Sequence, residues 1–213
     1  MVGKTPVNTS RYRAARFLTS AERVDQCPPD FGIEVAFAGR SNAGKSSAIN
    51  ALTDQKKLAR ASKTPGRTRL INFFALNDDK RLVDLPGYGY AKVSAEMRQK
   101  WQHHLGEYLN QRSCLKGLVL LMDIRHPCQE FDTSMIDWAV KGKLPIHILL
   151  TKSDKLSKGA AKNAELGVRT LMEKRKSPIT VQCFSAHSGE GIVQLAQKLD
   201  EWYEVQKKAG EAT

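Results

Sequence analysis

The chain has 213 residues, 41% of them hydrophobic, which suits one globular domain with a sizeable core. Its 34 Lys and Arg against 22 Asp and Glu give a formal net charge of +12, pointing to a polyanionic partner (nucleic acid or an anionic membrane surface) or to a basic protein kept soluble by its charge. No stretch is long and apolar enough to cross a bilayer, since the longest such runs, near 118–124 and 144–151, are strand-sized.

The N-terminus "MVGKTPVNTSRYRAARFLTS" lacks the uninterrupted apolar core of a secretory signal. Residues 1–30 are polar and basic and close on "CPPD", which predicts an extension ahead of a domain over 31–208, with a short tail over 209–213. The four cysteines (Cys27, Cys114, Cys128, Cys183) are scattered, with no C-x-x-C pair and no histidine at metal-ligand spacing. They read as buried or incidental thiols of a reducing cytosol, so a cytoplasmic location is expected.

"IEVAFAG" predicts a short apolar strand and "KSSAINALTD" a helix after it. The polar, basic stretch "QKKLARASKTPGRT" interrupts the regularity, and "RLINFFAL" and "KRLVDLP" read as two strands joined by the turn "NDDK". Met97, Trp101, His104, Leu105 and Tyr108 recur at helical spacing over 95–110. "LKGLVLLMDIR" is a continuous apolar strand, as expected when both faces are covered. A helix near 129–142, the strand "PIHILLTKSD", a Lys- and Ala-rich helix near 158–176, the strand "ITVQCFSA" and a helix over 191–208 complete the pattern. Strands alternating with helices predict an α/β fold, a mostly parallel sheet with helices on both faces.

"GRSNAGKSS" fits the phosphate-loop pattern G-x-x-x-x-G-K-[ST] at Gly39, Gly44, Lys45 and Ser46. Glycines let backbone N–H groups curl around phosphate oxygens, and the following helix offers its positive end. Lys45 would reach the β- and γ-phosphates and the Ser46 hydroxyl would ligate Mg²⁺. Such a register arises by chance in on the order of 1% of chains this size, but the strand before and helix after argue against chance. "VDLPG" supplies Asp84 at a strand end, to hold Mg²⁺ through water, and Gly87, whose N–H would meet the γ-phosphate. In "LLTKSD", Asp154 is placed to accept two hydrogen bonds from guanine, which adenine cannot donate, while the Lys152 stem lies along the base. "CFSA" would offer the N–H groups of Ser185 and Ala186 to the guanine oxygen. Any of these motifs alone is weak; four in this order, each at a strand's C-terminal end, predict a GTP site.

At these residues the chain resembles a known family. "GRSNAGKSS", "KTPGRTRLINFF", "DLPGYGYA", "TKSD" and "FSA" are similar to the EngB (YihA/YsxC) family of the TrmE-Era-EngA-EngB-Septin-like GTPases, over about residues 10–205. The resemblance implies a Ras-like P-loop GTPase fold, GTP and GDP binding with Mg²⁺, slow hydrolysis, and work in assembly of the large ribosomal subunit, with a need in cell division and septation. Carried over by position, the nucleotide contacts would be Gly39, Arg40, Ser41, Asn42, Ala43, Gly44, Lys45 and Ser46; Gly66, Arg67, Thr68, Arg69 and Leu70; Asp84, Leu85, Pro86 and Gly87; Thr151, Lys152, Ser153 and Asp154; and Phe184, Ser185 and Ala186. Magnesium ligands would be Ser46 and Thr68, and Lys45, Thr68 and Gly87 would carry catalysis. Thr64 rivals Thr68 in the same loop, but the nearness of "GRT" to the next strand favours Thr68 as the residue closing on the γ-phosphate.

Two residues depart from the wider GTPase pattern. Tyr88 stands where Ras-like enzymes carry a water-orienting glutamine, which predicts slow turnover. Thr151 replaces the asparagine that opens the base-reading motif, so one amide contact is lost. Asn42 occupies a position where related GTPases bind potassium, making K⁺ a candidate activator, although Asn42 as a loop-stiffening residue is an equal reading. His103 and His104 read as a helix pair, one facing the core edge and one solvent, and Trp101, Tyr108, Trp138 and Trp202 as packing.

Positive charge at Arg11, Arg13, Arg16, 56–69, 92–100 and 152–176 flanks these loops. Ribosomal RNA and proteins of the large subunit are the expected partners, the protein itself being by default a monomer. Two rival readings are a P-loop phosphotransferase for a small metabolite and a GTP-binding recruitment module at the division site that does not hydrolyse.

Overall fold

The computed structural model describes residues 9–60, 70–88, 95–175 and 177–210, with backbone only over 95–102 and 205–210. In chain order these form α1 (Ser10–Arg13), β1 (Arg16–Ala21), β2 (Ile33–Gly39), α2 (Lys45–Thr53), β3 (Ile71–Ala75), β4 (Lys80–Asp84) and α3 (Ala95–Gln111). Then follow β5 (Leu115–Asp123), α4 (Glu130–Lys141), β6 (Ile146–Thr151), α5 (Lys158–Glu173), β7 (Ile179–Phe184) and α6 (Ile192–Gly210), with single 3-10 turns at Val24–Gln26 and Ser153–Lys155.

The described strands make one sheet in the order β1-β3-β4-β2-β5-β6-β7. Strands β4, β2, β5, β6 and β7 run parallel, while β3 pairs antiparallel with β4 and with β1. Every residue of β2 and β6 is buried, which is why both read as mostly apolar runs, broken only by Glu34, His147 and Thr151: central parallel strands bury both faces. On one face Ala36, Leu118, Leu120, Ile148 and Val181 pack against Tyr108, Ile136 and Val168 of α3, α4 and α5. On the other, Val35, Phe37, Val119 and Leu149 meet Ile49, Leu52, Leu195 and Leu199 of α2 and α6. Each such buried aliphatic side chain contributes about 1.5–3 kcal/mol. The crossover direction reverses between β4 and β5 on either side of β2, so the loop after β2 lies at the switch point where α/β sheets form clefts.

The first thirty residues differ from a simple extension. Residues 10–21 carry α1 and the edge strand β1, paired from Arg16 to Ala21 against Ala75 to Ile71. Tyr12 is fully buried; its hydroxyl donates to Asp200 Oδ1 at 2.6 Å and lies 3.2 Å from the Ala196 carbonyl, both on α6. The "CPPD" loop is held from below by the buried carboxylate of Glu34, which draws in Arg81 (3.0 Å) and Arg112 (2.5 Å). Those guanidiniums in turn donate to carbonyls of the loop, Arg112 to Pro28 at 2.8 Å and Arg81 to Pro29 at 3.2 Å and to Phe31.

Candidate functional site

The loop after β2 is shaped by two residues in the left-handed region, Asn42 at φ +64° and Gly44 at φ +91°. Glycine costs nothing there and asparagine tolerates it, and Gly44 then opens α2. Gly39 answers to a different constraint: a Cβ on it would stand 2.8 Å from the Leu121 carbonyl oxygen. The Ala43 amide donates to the Arg40 carbonyl at 3.0 Å, closing the turn. A second anchor comes from β6, where the buried Thr151 hydroxyl lies 2.7 Å from the Ala43 carbonyl and 3.0 Å from that of Met122. Thr151 therefore ties the phosphate loop to β5 and β6, a packing role within the fold.

Beside this loop is a cavity of about 340 Å³ lined by Arg40, Ser41, Asn42, Gly44, Lys45, Ser46, Leu70 and Asp84 to Gly87. Lys45 and Asp84 form an ion pair across it, both side chains largely shielded from solvent. An ammonium and turn amides suit phosphate oxygens, while a hydroxyl and a carboxylate suit a hard divalent cation. Among the described residues no cluster of three or more His, Cys, Asp or Glu is placed to hold a metal by itself. The donor set thus fits a magnesium nucleotide.

A second cavity, of about 600 Å³, shares Gly44, Ser47 and Lys152 with the first and continues over Thr151, Asp154, Phe184 and Ala186. The two predicted halves, phosphate loop and base-reading loops, are thereby brought together. Asp154 Oδ1 accepts the Ser185 hydroxyl at 2.6 Å, and this bond holds the carboxyl below the usual carboxylate range. Lys152, at φ +60°, turns its ammonium to Asp123 Oδ2 at 3.0 Å. Ser153 donates to Glu190 Oε2 at 2.6 Å.

Several expectations need amendment. The Ser185 amide donates to the Glu190 carbonyl at 3.0 Å, so of the two amides expected to face the base oxygen, Ala186 alone remains. The cause is a tight turn over 185–191 that closes on the Ser185 amide. Tyr88 points inward: its hydroxyl donates to Asp132 Oδ1 of α4 at 2.8 Å. Gly66, Arg67, Thr68 and Arg69, with the rival Thr64, lie outside the described residues. His103 is exposed and His104 half-buried beside Glu107, away from both cavities.

Cavity residues missed by the motif reading include Asn50, Gln55, Arg60, Asn72 and His187. A signal existed on α2, since Ser47, Asn50, Ala51 and Asp54 follow i, i+3, i+4, i+7 spacing and all line the larger cavity. Gln55 has no such periodic cue. Its side-chain amide donates to the Arg13 and Ala15 carbonyls at 3.0 and 2.7 Å, tying the cavity wall to the N-terminal segment.

Comparison with known proteins supports the same reading. Residues 34–152 match the family model described as 50S ribosome-binding GTPase. The probable GTP-binding protein EngB of Enterobacter sp. (strain 638) is 56% identical over 201 residues, covering 94% of this chain and 97% of that protein. Its counterpart in Coxiella burnetii (strain CbuG_Q212) is 55% identical over 192 residues, covering 90% of this chain and 94% of the other. A crystal structure of a probable GTP-binding protein EngB shares the fold at TM-score 0.65 and 23% identity, over 80% of this chain and 98% of that one. Identity above one half across nearly the whole of both chains is far more than a shared fold produces, and the chain belongs to the EngB family of GTP-binding proteins.

Proposed function

We propose that this protein binds GTP and GDP with Mg²⁺ across the two joined cavities, hydrolyses GTP slowly, and uses the nucleotide to time visits to the assembling large ribosomal subunit. The observation that supports this most is the pair of cavities that share Gly44, Ser47 and Lys152, with Lys45 and Asp84 in one and Asp154 in the other. In this reading Ser46, Thr68 and, through water, Asp84 would hold the magnesium ion, which would supply positive charge to the phosphate oxygens. Lys45 holds the β- and γ-phosphates, and the Gly87 amide binds the oxygens on which charge develops. The remaining contacts carried by position line the phosphates and base.

Tyr88 gives the attacking water no oriented partner because its hydroxyl is committed to Asp132, so intrinsic turnover is slow. Asn42 is proposed to hold K⁺ beside the transferred phosphate. Turnover in KCl is then higher than in NaCl at equal ionic strength, and equal rates refute the potassium site.

The net charge of +12 suits ribosomal RNA as partner, and a cytoplasmic monomer acting in ribosome assembly, with consequences for division and septation, accounts for the whole. Co-sedimentation with purified large subunits tests it. Binding is expected with a GTP analogue, weaker with GDP, and falling steeply as salt rises from low to moderate concentration. Sedimentation indifferent to nucleotide and salt refutes the ribosomal reading. Guanine-nucleotide binding without nucleotide-dependent co-sedimentation favours a recruitment module at the division site, and competition by ADP as effective as by GDP favours the phosphotransferase.

A further inference from the structure

Tyr88 follows the Asp84–Gly87 segment and is joined to the phosphate loop by its backbone. The Ser41 amide donates to the Tyr88 carbonyl at 2.7 Å, and the Tyr88 amide to the Gly39 carbonyl at 3.3 Å. Its side chain is 3% exposed, tilted against Phe131 with ring centres 6.1 Å apart, and hydrogen-bonded to Asp132 Oδ1 at 2.8 Å. Asp132 is itself 1% exposed, and its other oxygen accepts the Gln129 amide at 3.0 Å, capping α4. Burial favours the neutral acid at Asp132, opposed by the bonds from Tyr88 and Gln129 and by the positive charge of Arg40 in the phosphate loop. A single buried carboxylate is therefore coupled to the phosphate loop, to the residue after Gly87 and to the start of α4.

We propose that Asp132 is a positioning residue for the phosphate end of the site: by fixing the Tyr88 hydroxyl it holds the Gly87 amide in place and so favours a nucleoside triphosphate over a diphosphate. This rests on the guanine-nucleotide reading above. Gly87 lines the smaller cavity and neither Tyr88 nor Asp132 lines the larger one, so the effect falls on the terminal phosphate and spares the base. Neither residue contacts nucleotide in this account; both act through backbone that does.

Calorimetric affinities for GDP and for a non-hydrolysable GTP analogue, on wild type, Tyr88→Phe, Asp132→Asn and the double variant, test it. Tyr88→Phe keeps the ring and its packing while removing the hydroxyl. The expected result is about a tenfold loss of analogue affinity, the equivalent of one buried hydrogen bond, with GDP affinity within about twofold of wild type. Asp132→Asn shows the same skew in smaller measure, since the amide oxygen can still accept from Gln129 and its NH2 can still meet the Tyr88 hydroxyl, and the double variant is little worse than Tyr88→Phe, since both changes act on one interaction. Equal losses for both nucleotides, or an unchanged ratio, overturn the proposal even if wild type binds guanine nucleotides normally. Wild type binding neither nucleotide overturns the guanine reading, and this proposal with it.

Discussion

Asp154 carries the choice of base in this reading, and its surroundings prepare it for that. The Ser185 hydroxyl both aims one carboxylate oxygen and favours its charged form, leaving acceptor capacity for two donors on a guanine edge. Asp154→Asn replaces one acceptor by a donor, which suits the xanthine edge. Affinity for GDP is expected to fall by about 100-fold or more, as one hydrogen bond becomes a donor–donor clash and the other loses its charged acceptor, while xanthosine diphosphate gains. Calorimetry with both nucleotides reads this directly, and an unaltered guanosine preference removes Asp154 from base recognition. The motif letters made this carboxylate legible as a base reader. They did not disclose Ser185 as its support, because a side chain 31 positions away leaves no periodic trace.

At the scale of elements, the N-terminal segment is the instructive case. Its polar and basic composition reads as an extension, yet β1 completes the sheet edge and α1 seats Tyr12 against α6. An edge strand with one covered face and a register shift between Phe17 and Thr19 lacks the clean alternation that betrays a strand. Tyr12→Phe removes a hydroxyl bonded to a half-shielded carboxylate and is expected to cost about 1–3 kcal/mol of stability. Urea unfolding measures it, and a midpoint equal to wild type means the α1 contact adds nothing. By contrast β2, α2, β5 and β6 were legible to within a residue or two at most boundaries, since their signals are local.

For the molecule as a whole, one buried histidine sets an acid limit. His147 on β6 sits between Thr180 Oγ1 at 2.7 Å from Nδ1 and Gln182 Oε1 at 2.8 Å from Nε2, a pair of partners that suits the neutral ring. Burial pushes its pKa down to about 4 from an ordinary 6.5. Above 6.5 neither folded nor unfolded chain carries the proton, so the full stability is present. Between 6.5 and about 4 the unfolded chain takes up a proton that the folded one refuses, and stability falls by on the order of 3 kcal/mol across that window. Urea midpoints at neutral and acid pH, for wild type and His147→Gln, should show a smaller acid loss in the variant; parallel curves refute it.

The α/β class, the sheet's apolar centre and the cluster of phosphate- and base-reading motifs at strand ends were all legible along the chain, because hydrophobic period and contiguous loop chemistry are local properties. Folding alone settles where Tyr88 points, which of the Ser185 and Ala186 amides is available, how Thr151 anchors the phosphate loop, and that residues 16–21 belong to the sheet. Those facts depend on partners far apart in the chain, such as Tyr12 and Asp200 at a separation of 188 residues, and it is folding that creates such pairs.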